Sequence, residues 1–323
     1  MPKFQPDIKF LDTSKFQTRD NPIMTKKNKY TFIDLFAGCG GLSEGFLQTG
    51  KFEGIAHVEW ETPMINTLRQ RLIDKWHHTE DDAKKRVIKF DVQKTEELIH
   101  GNWSDETKKK YEKENHRDIV NGGLEALVNG HKVDLIIGGP PCQAYSIAGR
   151  AQDPNSMKYD YRNYLFESFV KIVDYFKPTA FVFENVPGLL SACPGNIPVR
   201  IRIYEAFKSI GYDIRTPELL KNSVYCAEDF GVPQKRNRII IFGTKHDSQF
   251  NTEEFYDSLT AHKSKLPHKT VRDAIGDMPR LTPKAQIEKI GRSHVSHEQL
   301  SGKHINLHVP RYHGERVQTL FAR

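Results

Sequence analysis

Residues 133–142 read VDLIIGGPPC, an apolar run that ends on two glycines, two prolines and a cysteine. A cysteine kept for packing belongs inside a strand or on the apolar face of a helix. Cys142 instead stands on the turn that follows the strand-like run Val133 to Ile137. Pro140 and Pro141 fix φ and remove two backbone donors, so this turn holds its shape and aims the next side chain. In open parallel α/β sheets, ligands bind in the crevice beyond the carboxyl ends of the strands. Cys142 therefore reads as a reactive thiol at the rim of such a sheet.

Outward from this turn the same alternation recurs in both directions. Upstream, YTFIDLF (30–36) reads as a strand, the glycines of AGCGG form a turn, and Leu42 to Thr49 begins a helix. Ile55 to Glu59 is the next strand, Pro63 to Trp76 has helical spacing, and VIKFDV (87–92) is a further strand. Downstream, Tyr164 to Tyr175 gathers Leu165, Phe169, Ile172 and Val173 on one helical face. Thr179 to Phe183 is a strand, Pro198 to Ile210 a helix, Tyr212 onward a strand, and RIIIFG (238–243) another. Strands alternating with helices at this spacing predict an α/β fold with a mostly parallel, doubly wound sheet. Residues 1–29 read as a polar lead-in and 30–245 as the main domain. Residues 246–323, polar and Pro-containing, read as an incomplete second, smaller part. The stretch from about 94 to 131 is heavily charged, and its expected form is a surface elaboration with a solvated face.

Length and composition set outer bounds. A chain of 323 residues can form one large α/β domain or one domain with an appendage. No apolar run approaches the roughly 18 residues of a membrane span. The start, MPKFQPDIKFLDTSKF, lacks the apolar core of a secretory signal, so no membrane partner is expected and a cytoplasmic setting fits. The formal charge of +7 suits a polyanionic partner without deciding for one. Four cysteines, at 39, 142, 193 and 226, form no CxxC pair, so neither a metal site nor a disulfide framework is expected. Cys193 and Cys226 read as structural.

The glycine turn after the first strand carries a second signal. Glycines there let a backbone approach a cofactor closely. The dinucleotide pattern GxGxxG, however, would need glycine where Ser43 stands. Glu59 ends the second strand, where an acid accepts hydrogen bonds from ribose hydroxyls. Trp60 is placed to lie against an adenine, and Asp91, ending the third strand, to meet its exocyclic amine. Strand ends converging on a nucleoside, without a full phosphate cradle, favour S-adenosylmethionine over NAD.

FAGCGG (36–41), PPCQ (140–143), ENV (184–186) and QKRNR (234–238), in this order, resemble the ordered motifs of the DNA (cytosine-5) methyltransferase family. RDAIGDMP (272–279) is a weaker echo. The resemblance runs from about Tyr30 to Gly243. It implies a Rossmann-like methyltransferase fold, S-adenosylmethionine as methyl donor and double-stranded DNA as substrate. It assigns Cys142 as the nucleophile, Glu184 as the group that meets nitrogen 3 of the cytosine, and Arg238 as the ligand of the pyrimidine oxygen. Arg236 supports that site or, alternatively, holds a phosphate. The methyl-donor pocket falls to Phe36, Gly38, Cys39, Gly41, Glu59, Trp60, Asp91, Val92, Gly139, Pro141 and Leu165. Gln143 and Asn185 shape loops, and Ser146, Arg150, Lys158 and Arg162 lie where the family closes a loop on DNA.

The sequence also departs from the family. Members carry a variable target-recognition region after the QxRxR motif, then a GN-type segment that completes the cofactor pocket; neither is found here. The expectation is a catalytic subunit of a split bacterial restriction–modification enzyme, completed by a second polypeptide, or a chain that ends early. Methylation of tRNA cytosine is a second enzymatic reading. A non-catalytic DNA- or cofactor-binding subunit is a third, and the intact Cys142, Glu184 and Arg238 speak against it.

Overall fold

The computed structural model describes residues 29–113, 122–141, 165–193, 196–263, 269–290, 293–299 and 319. Its main sheet is built on five parallel strands: β1 (Tyr30–Leu35), β2 (Phe52–Glu59), β3 (Val87–Lys89), β4 (Leu135–Gly138) and β5 (Ala180–Asn185). β6 (Tyr212–Asp213), β7 (Val224–Cys226) and β8 (Asn237–Lys245) complete it. The order is β3-β2-β1-β4-β5-β8-β6, with β7 also paired to β8. The expected parallel, doubly wound sheet is therefore present, with one strand reversed: β8 runs antiparallel to β5, β6 and β7. β8 follows β7 after ten residues, 227–236, which include one 3-10 turn over Ala227–Phe230. Antiparallel strands can be joined so closely, whereas parallel ones need a long crossover.

The strands are apolar on both faces because helices cover both. Phe32, Val87, Leu135, Ile137 and Val182 pack with Leu47, Ile65, Leu68, Leu72 and Ala83. Those last five belong to α1 (Gly41–Gln48), α2 (Thr62–Asp74) and α3 (Glu80–Arg86). The alternate strand residues Ile33, Leu35, Ile136, Phe181 and Phe183 face the other layer. That layer is α4 (Thr95–His100), α5 (Asp105–Lys113), α6 (Gly123–Val128), α7 (Leu165–Phe176) and α8 (Val199–Ser209). This period-two split is the signature of a sheet buried on both sides.

The charged stretch is more than a solvated face. Leu98 and Ile99 of α4, Tyr111 of α5, and Leu124 and Val128 of α6 are buried in the core. The charges occupy the outer surfaces of short helices whose few inward positions are apolar. Beyond residue 245, in the stretch read as an incomplete second part, lie α9 (Thr252–Lys263), α10 (Val271–Ile275) and an antiparallel pair, β9 (Leu281–Ile290) and β10 (Ser293–Gln299). Tyr256 of α9 fills the gap on β8 between the stretches paired to β6 and β7. Its hydroxyl accepts from Phe242 N at 2.9 Å and donates to Ile240 O at 3.2 Å. Cys193, read as structural, is exposed, whereas Cys226 is half-buried in β7. No helix among the described residues is long and apolar enough to cross a membrane.

Two polar clusters anchor the region around α1. Asp34, Ser43 and His57 are fully buried. The Ser43 hydroxyl donates to Asp34 Oδ2 and lies 3.0 Å from His57 Nδ1. Ser43→Ala would leave two buried polar atoms without that partner. It is expected to destabilise the fold by about 1–3 kcal/mol, read from urea unfolding.

The second cluster centres on Glu44. Burial pushes its carboxyl up, but hydrogen bonds from Lys75, Arg71, Gln48 and Trp76 outweigh this and hold it down at about 2. A depressed carboxylate contributes stability that is complete above its unfolded value, about 4.3, and is lost as pH falls toward 2. Lys75 and Arg71 are themselves 51% and 41% exposed, so solvent screens part of the gain. Glu44→Gln is therefore expected to cost on the order of 1–2 kcal/mol at pH 7 and progressively less below pH 4, measured by thermal unfolding across that range.

Candidate active site

The strand order reverses between β1 and β4, and at such a switch point the connections leave in opposite directions and open a crevice. β1 leaves the sheet through Phe36, at φ 58°, and Gly38, at φ 56°. A left-handed phenylalanine costs of order 1–3 kcal/mol and persists where the surroundings over-determine it. The chain then enters α1 over Gly40, at φ 80°, where a Cβ would lie 2.4 Å from Leu68 Cδ1. This glycine is thus required both by its backbone and by the closeness of α2.

Beside the turn is a cleft of about 600 Å³. Of the residues assigned to a methyl-donor pocket, Phe36, Gly38, Glu59, Trp60, Asp91, Val92, Gly139, Pro141 and Leu165 all line it. Four separate strand ends and the start of α7 supply them. Cys39 and Gly41 do not line it: Cys39 is exposed, and Gly41 is already the first residue of α1. Sequence reading missed Val58, Glu61, Pro63, Met64, Phe90 and Gln93, which also line it. The signal was adjacency, since each neighbours an assigned residue or starts the following helix.

Glu59 is held rigidly. Its Oε2 accepts from Gly38 N at 2.6 Å, and Oε1 accepts from Trp60 N at 2.7 Å and Glu61 N at 2.9 Å. A carboxylate offers about four acceptor sites, so one remains for a hydroxyl in the cleft. Asp91 lies just beyond β3 rather than ending it, fixed by a hydrogen bond from Gln93 N to Oδ1 at 3.0 Å. A nucleoside with an apolar arm fits this set: an acid at a strand end, aromatic walls at Phe36, Trp60 and Phe90, and bare backbone at Gly38 and Gly139.

On the far side of Gly139 stands a second set. Gly138 pairs with Phe183 across β4 and β5, which brings Gly139 beside Glu184. A Cβ on Gly139 would lie 2.8 Å from Glu184 Oε2. On β8, Ile240 pairs with Glu184, so Arg238, two residues away on the same face, reaches it diagonally. Arg238 Nε lies 2.7 Å from Glu184 Oε1, the two side chains being 22% and 28% exposed. Arg236 precedes β8 and is exposed, its carbonyl accepting from Ala227 N at 2.9 Å. Asn185, fully buried, donates to Pro140 O at 3.2 Å and accepts from Val186 N at 2.8 Å, so it ties the end of β5 to the proline turn. Cys142, Gln143, Ser146, Arg150, Lys158 and Arg162 lie outside the described residues.

A Rossmann-like sheet with a cleft of acid, aromatic and bare-backbone lining at its switch point, and an acid–arginine pair beside it, has the layout of a methyltransferase type of α/β protein. The comparisons with known proteins narrow this. The family model for C-5 cytosine-specific DNA methylases matches residues 30–102 and 101–318, and the chain belongs to that family. Type II methyltransferase M.Bpa9945I of Bacillus paralicheniformis is 36% identical over 278 residues, 78% of this chain and 61% of the relative. Type II methyltransferase M.AquIA of Picosynechococcus is 32% identical over 262 residues, 78% of this chain and 90% of the relative. A crystal structure of a prophage-encoded E. coli protein, assigned as a DNA modification methyltransferase, superimposes with a TM-score of 0.52 at 25% identity. That match covers 81% of this chain and 59% of the other. The chain thus spans only part of the longer relatives, 61% of M.Bpa9945I and 53% of M1.HphI from Haemophilus parahaemolyticus.

Proposed function

We propose that this chain is the catalytic part of a DNA cytosine-5 methyltransferase that uses S-adenosylmethionine and acts on cytosine in double-stranded DNA. The observation that carries the reading is the pairing of Glu184 with Arg238 directly across Gly139 from the cleft, beside the turn that leads into Cys142. Bound S-adenosylmethionine supplies an electrophilic methyl group. Glu59 would hold its ribose, Phe36 and Trp60 its base, and Gly38, Gly139 and Pro141 the space along its chain.

The remaining chemistry belongs to the protein. Carbon 5 of cytosine is a poor nucleophile, and the Cys142 thiolate makes it electron-rich by adding at carbon 6. The Glu184 carboxyl gives nitrogen 3 a proton as negative charge develops there, and Arg238 holds the resulting carboxylate and the pyrimidine oxygen. Once carbon 5 carries the methyl group, loss of its proton expels the cysteine and restores the ring. Neither face of a stacked cytosine is open to a thiol, so the base must leave the duplex, at a cost of a few kcal/mol. Recognition of the surrounding sequence is assigned to a second polypeptide. The Type II relatives favour a bacterial, cytoplasmic restriction–modification setting.

The test is incorporation of radiolabelled methyl into mixed-sequence DNA and, in parallel, RNA, by the purified chain with and without products of neighbouring reading frames. Transfer to DNA supports the reading. Transfer to RNA alone overturns the substrate. Transfer to neither, under both conditions, overturns the catalytic assignment.

A further inference from the structure

Lys110 of α5 places its Nζ 4.2 Å from the centre of the Trp60 ring. Trp60 lines the cleft, yet its side chain is otherwise loosely held, with the residue 45% exposed. The helix that carries Lys110 is firmly set. Ser104 starts it, its hydroxyl accepting from Thr107 N at 3.2 Å and its carbonyl from Lys108 N at 2.9 Å. Thr107 is fully buried and accepts from Lys94 Nζ at 2.8 Å. One turn later Tyr111 is buried and stacks on Phe90, with ring centres 5.6 Å apart and planes at 11°. Phe90 is itself a wall of the cleft. Thr107 and Tyr111 define the inward face of α5, and Lys110 sits at its edge, three residues after Thr107.

One helix therefore supports two aromatic walls of the same cleft, Phe90 through Tyr111 and Trp60 through Lys110. We infer that α5 belongs to the cofactor site and that Lys110 is a positioning residue, which pins the Trp60 indole so that its opposite face is held for an adenine base. This rests on the methyl-donor reading of the cleft. A cation over one face of an indole fixes the ring without occupying the other face. The charged stretch that carries α5 is then a cofactor-binding element as well as part of the core.

The experiment measures S-adenosylmethionine and S-adenosylhomocysteine affinity on the full chain, by calorimetry and by tryptophan fluorescence, for Lys110→Ala, Lys110→Arg, Trp60→Ala and the Lys110→Ala/Trp60→Ala double variant. A surface cation–π contact corresponds to about a 2- to 5-fold change in affinity. Lys110→Ala is expected to weaken binding by that factor, Lys110→Arg to restore it, and the lysine change to have no further effect once Trp60 is gone. Unchanged affinity in Lys110→Ala, or an equal loss with and without Trp60, would overturn the inference while leaving the cofactor reading intact. If the unsubstituted chain binds neither ligand, the cofactor reading falls and this inference with it.

Discussion

Cys142→Ser is expected to lower methyl incorporation by at least about 1,000-fold while leaving cofactor affinity within about 2-fold. The two halves of this result come from different sides of one turn. A serine hydroxyl is almost never ionised at neutral pH, whereas a thiol near its ordinary pKa of about 8.5 has accessible thiolate and is intrinsically more nucleophilic. On the proposed mechanism, replacing sulfur by oxygen therefore removes the addition that activates carbon 5. Gly139 and Pro141, which line the cleft, are untouched. Cofactor binding, followed by calorimetry beside the methyl-transfer assay, separates loss of chemistry from loss of fold. A serine variant that keeps an appreciable rate would rule out covalent addition by this residue.

Glu184→Gln is the second large effect, an expected 100- to 10,000-fold fall in turnover at saturating cofactor and DNA. The amide preserves shape but removes the negative partner of Arg238 Nε, 2.7 Å away, and can neither donate nor retain a proton at nitrogen 3 as a carboxyl does. Both side chains are mostly buried, so losing one partner of the pair also costs some stability, and thermal unfolding measured alongside separates that cost from loss of chemistry. DNA affinity and its salt dependence, governed by phosphate contacts, should hold steady. Retention of wild-type turnover would remove Glu184 from the reaction and leave Arg238 as a structural partner.

Much of this was legible in the sequence because it lay in runs. The apolar stretches at 30–36 and 133–137, each followed within two residues by glycine, became β1 and β4, and their exits became the two sides of the crevice. Glu59 and Trp60 could be placed from the end of β2. What could not be read depends on contacts between distant residues. α5 shows few apolar positions, so no period stands out in DETKKKYEK, yet Thr107 and Tyr111 suffice to bury one side. The direction of β8 was hidden because an apolar run reads the same either way. Cys39 and Gly41, also assigned to the pocket, are not among the residues that line the cleft and lie on the turn into α1, beside the positive-φ Gly38 and Gly40. The Asp34–Ser43–His57 cluster joins three elements whose spacing follows no motif.

Gly139 is a partition with only backbone thickness. The cleft lies on one side of it, and the Glu184 carboxylate lies so near on the other that a methyl group would collide with Oε2 at 2.8 Å. Two ligands separated by so thin a wall sense each other's displacement of the same few atoms. Linkage then makes the effect mutual: whatever factor a bound nucleoside imposes on base affinity, the base imposes on the nucleoside. Thickening the partition, as in Gly139→Ala, should change that shared factor and not merely weaken one ligand.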